Sequence, residues 1–99
     1  MAIRHLVLLR FASDTPPSAR AGIETAFAAL PTQIGGITAF EWGTNVSPEG
    51  LAKGFTHAFA LTFTDAAARD AYLPHPAHQA FVARLKPHLA DVLVFDYAI

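Results

Sequence analysis

The sequence predicts an α+β fold: a ferredoxin-like β-α-β-β-α-β subunit, residues 1–99 forming one domain, with sheet order 4-1-3-2. Three observations carry this. Four short runs rich in aliphatic and aromatic residues alternate with stretches of helical periodicity. The chain is 99 residues long, enough for one modest core. It is 53% apolar with a mean hydropathy of +0.32. A small monomer has too much surface to hide that much apolar material, so a second covered surface is expected, most simply in a homodimer.

The elements follow in order. Ile3 to Phe11 is short and aliphatic and reads as a strand. Thr15-Pro16 suits an N-cap followed by a proline in the first turn. A helix then runs to about Leu30, with Ala19, Ile23, Ala26, Phe27 and Leu30 on one stripe. Pro31 and Gly35-Gly36 end it. Ile37 to Val46 is a second strand with Gly43 as a bulge, and Ser47 to Gly54 a polar loop. Phe55 to Thr64 is a third strand. Asp65 caps a short helix, Ala66 to Tyr72, which points Arg69 and Asp70 outward. Pro74-His75-Pro76 is a fixed corner. A further helix runs from Ala77 to about Leu89, with Pro87 bending or ending it early. Val92 to Ala98 is the last strand.

Strands one and three are expected at the centre, adjacent and parallel. They share an echo, His5-x-Val7-x-Leu9-x-Phe11 against His57-x-Phe59-x-Leu61-x-Phe63. On that alignment His5 and His57 stand side by side, about 4.8 Å apart on one face. The second face (Leu6, Leu8, Ala58, Ala60, Leu93, Phe95) is also apolar and needs a partner, since helices cover only one side.

Charge and composition exclude several classes. Charged residues are 15% and the net charge is -1, with no Lys/Arg cluster to neutralise phosphates, so nucleic acid is not an expected partner. No apolar run approaches the roughly 18 residues that span a bilayer, and no membrane role is expected. The N-terminal run lacks the cleavage signature of a secretory signal. Zero cysteines exclude disulfides and thiolate chemistry and suit a cytoplasmic protein.

The densest polar chemistry lies in Tyr72-Leu73-Pro74-His75-Pro76-Ala77-His78. The corner lets Tyr72 and His78, on separate helices, point into one place. A neutral imidazole is a suitable base near pH 7, and a phenol can donate to a developing enolate oxygen. The bland alternative is that the two side chains bond each other and seal the helix junction. His75, between two prolines, is a candidate to lock the corner through backbone groups. His5 and His57 are either satisfied core groups or the polar floor of a pocket. Four histidines (His5, His57, His75, His78) would suffice for zinc, but no nearby carboxylate or i, i+4 pair supports a metal. Asp96, alternating with Val92 and Val94, is a candidate partner for a histidine.

Taken together, His5-x-Val7, Phe40-x-Trp42-Gly43-x-Asn45, Gly54-x-x-His57, Tyr72-Leu73-x-His75-Pro76-x-His78 and Phe95-Asp96-Tyr97 resemble the stress-responsive dimeric α/β-barrel (Dabb) family over nearly the whole chain. The resemblance implies two subunits pairing their sheets into a barrel. Members include plant stress proteins, a plant polyketide cyclase and a plant hydroxynitrile lyase. By resemblance to the cyclase, His78 and Tyr72 are the acid-base pair and His5 and His57 line the pocket, with Val7, Leu9, Phe27, Phe59, Phe81 and Val94 around them. Phe27 stands where the cyclase has a pocket tyrosine. The resemblance implies no cofactor. It also points to the main-chain carbonyls of Pro31, Ile34 and Ile37 as a place for a magnesium-type cation. The expected function is binding of a small apolar carbonyl compound, with cofactor-independent cyclase, lyase or isomerase chemistry. The rivals are a non-catalytic stress or binding protein and a cofactorless monooxygenase of related barrel type.

Overall fold

β1 (Ile3–Phe11) lies inside a four-stranded sheet ordered β2-β3-β1-β4, flanked by β3 (His57–Phe63) and β4 (Leu89–Ala98), with β2 (Ile37–Thr44) at the far edge. The computed structural model describes residues 1–99. Three helices complete it: α1 (Pro17–Gln33), α2 (Ala66–Tyr72) and α3 (Pro76–Leu85), with a 3₁₀ turn at Lys86–His88. The predicted architecture and strand order hold.

Every strand pair is antiparallel, including β1 with β3. This corrects the parallel pairing expected for β1 and β3. The crossover through α1 makes β2 run with β1 but leaves a one-strand gap. β3 turns back from β2 and fills that gap, so it must oppose β1. His5 therefore faces Leu61 and His57 faces Leu9. The two histidines share a face but sit at opposite ends of it, and the side-by-side alignment is overturned.

That face is the core. Val7, Leu9, Phe59, Leu61 and Phe63 from the sheet meet Ile23, Phe27, Leu30 and Ile34 of the α1 region and Tyr72, Phe81 and Leu85 beyond β3. Phe27 stacks on Phe59 at 4.2 Å between ring centroids and tilts against Phe81 at 4.7 Å. The helices leave β4 uncovered: Val94, on the core-facing side opposite Val7, is 56% exposed.

Proline and capping chemistry set the element ends, not always where expected. α1 passes through Pro31 to Gln33. In the last turn the missing N–H costs one bond, to the Phe27 carbonyl, and the helix survives. Pro16, not Thr15, holds the N-cap position; the Thr15 hydroxyl donates to the His88 carbonyl at 3.3 Å. Gly36 has φ +92, and a Cβ there would come within 2.8 Å of the Ala68 Cβ, so glycine is required at this turn. Asp65 caps α2 as expected, accepting from the Ala68 N–H at 2.8 Å. α3 stops at Leu85 because Pro87 follows, and the chain tightens into the 3₁₀ turn. The register irregularity of β2 lies between Ile37 and Ala39, not at Gly43.

Candidate site at the His5 end of the sheet

The core face has two polar ends, and they differ in chemistry. At the β2–β3 end, His57 is 6% exposed. Its Nε2–H donates to Glu24 Oε2 at 2.7 Å, and its Nδ1 accepts from the Thr56 hydroxyl at 2.7 Å. Trp42 stacks on the ring at 5.9 Å and Phe11 meets it edge-on at 5.1 Å. Both ring nitrogens are engaged, so His57 is a satisfied histidine. A hollow beside it, lined by Gly43, Asn45, Phe55 and Ala58, opens to the other side of the sheet.

The opposite end is built on β1, α2, α3 and β4. The Nδ1–H of His5 donates to Asp96 Oδ1 at 2.6 Å, and Asp96 Oδ2 accepts from Arg69 Nη1 at 2.8 Å. Arg69 Nε donates to Asp70 Oδ1 at 2.8 Å. These carboxylates, Asp70 first and then Asp96, hold the Arg69 guanidinium above its ordinary pKa. Arg69 is thus turned in towards β4 rather than outward. The His5 ring meets Tyr72 edge-on at 6.0 Å and Phe63 at 5.8 Å.

Tyr72 lies between two imidazoles. Its ring is 4.3 Å from that of His78, tilted by 41°. The two side chains do not bond each other: the His78 Nδ1–H donates to the Leu73 carbonyl at 2.9 Å. His75 Nδ1 accepts from the Ala77 N–H at 3.0 Å and caps α3, the corner-locking role read from its two prolines.

Among the polar atoms at this end without a partner in the chain are three that face one another across Tyr72: its own hydroxyl, His5 Nε2 and His78 Nε2. The only fully enclosed side-chain polar atom without a partner is Arg10 Nε. The three free atoms therefore each touch accessible space. With Nδ1–H committed to Asp96 and to Leu73, a neutral His5 or His78 carries its lone pair on Nε2. Burial pushes the Tyr72 phenol pKa well up, so it stays a hydroxyl donor wherever imidazole is neutral.

The structure thus brings His5, Tyr72 and His78 together and leaves His57 apart. Val7, Leu9, Phe27, Phe59 and Phe81, expected as pocket lining, pack on one another as the core, and the Phe27 ring closes the middle by stacking on Phe59. Val94 stays open at the β4 side. Sequence reasoning named Asp96 as a histidine's partner but missed Glu24 and Arg69. Spacing held a signal for Arg69, since Arg69 and Tyr72 are i and i+3 on α2 and share a face.

No group of three or more His, Cys, Asp or Glu side chains converges on a metal position. At the α1–β2 junction Pro31 closes the last turn, Ile34 is the cap and Ile37 opens β2. The Pro31 and Ile34 carbonyls accept no backbone hydrogen bond. These are orphan acceptors at the negative end of a helix, the kind of neutral oxygen that suits a hard cation.

The chain is similar to known proteins along nearly its whole length. Residues 3–99 match the family described as Stress responsive A/B Barrel Domain. The stress-response A/B barrel domain-containing protein HS1 of Arabidopsis thaliana is 36% identical over 95 residues, 96% of this chain and 87% of that protein. Olivetolic acid cyclase of Cannabis sativa is 27% identical over 97 residues, 98% of this chain and 96% of that one. Among solved structures, the hydroxynitrile lyase from Passiflora edulis superposes with a TM-score of 0.93 at 27% identity, covering 99% of this chain and 93% of that one. A dimeric ferredoxin-like protein of unknown function from Thermobifida fusca gives 0.84 at 30% identity, covering 100% and 92%.

Proposed function

The chain belongs to the stress-responsive A/B barrel family, and from that premise we propose that it is a homodimeric small-molecule-binding protein whose His5–Tyr72–His78 end performs cofactor-independent acid–base chemistry on an apolar carbonyl compound. One observation carries the reading: a buried phenol stands between two imidazoles, each with Nδ1 tied down and Nε2 free. An imidazole Nε2 takes a proton from the carbon next to the carbonyl. The C–H bond breaks, an N–H bond forms, and the electron pair moves to the carbonyl oxygen, where the Tyr72 hydroxyl stabilises it. The enolate so formed serves ring closure, isomerisation or loss of a small leaving group. The substrate's apolar part would lie along the open side of β4 at Val94. That a cyclase and a lyase stand among the similar proteins supports the reading of this end as a site for chemistry.

The homodimer rests on the outer sheet face and on similar structures described as dimeric. The carbonyls of Pro31, Ile34 and Ile37 would hold a magnesium-type cation through neutral oxygens. Such an ion would brace the α1–β2 turn and takes no part in the proton transfer. A second reading is favoured by one observation: His75 and His78 both bond backbone of the corner, so the motif is architectural and the protein a non-catalytic binder.

Exchange of the methyl protons of acetophenone for deuterium, followed by NMR in heavy water, separates the two. Catalysis predicts exchange well above that of free imidazole at equal concentration, falling about 100-fold in Tyr72→Phe at unchanged melting temperature. Exchange no faster than free imidazole leaves the architectural reading standing.

A further inference from the structure

Arg69 has no part in the acid–base scheme above, yet it is the end of a continuous line of bonds into the site. Its Nη1–H reaches Asp96 Oδ2 at 2.8 Å, while Asp96 Oδ1 receives the His5 Nδ1–H at 2.6 Å. Each Asp96 oxygen has one donor, from a different element, so the carboxylate is held from α2 on one side and β1 on the other. Arg69 and Tyr72 stand one turn apart on the same face of α2. A single helical turn thus carries the hydroxyl donor and the cation behind the base.

We propose that Arg69 is a positioning residue: by clamping Asp96 from the α2 side it fixes the carboxylate on the His5 Nδ1–H and so holds a free Nε2 in the site, giving it a second base beside His78. The inference rests on the acid–base reading for its consequence in turnover, though not for its effect on His5 itself.

The electrostatics support it. The charged and titratable groups facing His5 are Asp96 from β4, Arg69, Asp70 and Tyr72 from α2, and His78 from α3, behind Tyr72. Tyr72 stays uncharged. Asp70 has a largely solvated carboxylate, its side chain 66% exposed. Arg69 is the only permanent cation of the group, and Asp96, with its side chain 23% exposed, is the less solvated anion. Without Arg69 one Asp96 oxygen loses its donor and the carboxylate is free to turn away from the His5 Nδ1–H. An imidazole whose proton moves to Nε2 presents a donor to the site, not a base. With Arg69 in place the Arg69–Asp96 pair is neutral, and Asp96 acts on His5 only as an acceptor that fixes the tautomer. Lysine can replace the charge but not the two-pronged hold on Asp70 and Asp96.

The test uses full-length protein with 15N-labelled histidine, comparing the unsubstituted chain with Arg69→Met and Arg69→Lys. Proton-detected long-range 15N spectra at pH 7 read the His5 tautomer, and acetophenone α-proton exchange is measured from pH 5.5 to 8.5. The expected result is a single Nδ1–H tautomer of His5 in the unsubstituted chain. In Arg69→Met, the His5 tautomers are mixed at pH 7 and exchange there falls about tenfold. Arg69→Lys recovers most of the rate. An unchanged His5 spectrum in Arg69→Met overturns the proposal. So does a loss of rate with no recovery in Arg69→Lys. Should Arg69→Met fail to fold, Arg69→Gln, a neutral donor, is read in the same way. If the unsubstituted chain exchanges no acetophenone while the His5 spectrum still changes in Arg69→Met, the acid–base reading falls and the hold of Arg69 on His5 stands.

Discussion

Phe59→Ala lowers the stability of the subunit by about 3–5 kcal/mol, the range for removing a large aromatic from a closed core. Phe59 is 1% exposed at the middle of β3. Its ring stacks on Phe27 at 4.2 Å and on Trp42 at 5.4 Å, linking α1 to the edge strand β2. Its backbone lies between Val7 and Trp42, both held in sheet register, so the surroundings cannot collapse into the space left behind. At the roughly 4–8 °C per kcal/mol typical of a domain this size, melting falls by more than about 12 °C. Denaturant titration at fixed protein concentration checks it. A loss below about 1 kcal/mol means the core can re-close, and the aromatic stack is not what joins the layers.

Phe95→Glu converts the homodimer to a monomer at micromolar concentration. Phe95 is 59% exposed in the single chain and pairs across the sheet with Leu6. Leu93 and Tyr97 share its face and are each 43% exposed. In a two-fold interface the same patch occurs twice, so one substitution buries two uncompensated carboxylates. At about 2 kcal/mol or more each, association weakens at least roughly 1,000-fold. Sedimentation velocity reads the result. A variant that remains dimeric places the contact elsewhere than on this face.

Much of the fold is legible in the chain. Alternation in Ile3–Phe11 and His57–Phe63, the Asp65 cap and the double-proline corner each declare an element through local chemistry. The direction of β3 against β1 does not show in residue spacing. The His5/His57 echo repeats the pattern of each strand, and period-two alternation reads the same in either direction. Only the one-strand gap left by the α1 crossover decides it. The same limit applied to the site. Tyr72 and His78 are close in sequence and were readable together. Asp96 alternates with core-facing valines and could be assigned to a histidine. Arg69 and Glu24 look like solvated charges on helices until the sheet places Asp96 and His57 within reach. The aromatic stack of Phe27 and Phe59 is a packing outcome of two elements and leaves no trace in either alone.

The central claim is that chemistry belongs to the His5–Tyr72–His78 end of the core face and not to His57. Titrating 15N-histidine-labelled protein with acetophenone at pH 7 tests it most directly. The account predicts that the Nε2 resonances of His5 and His78 move together and saturate together while those of His57 hold still, its two nitrogens being already engaged by Glu24 and Thr56. Movement at His57 with His5 and His78 unchanged would contradict it.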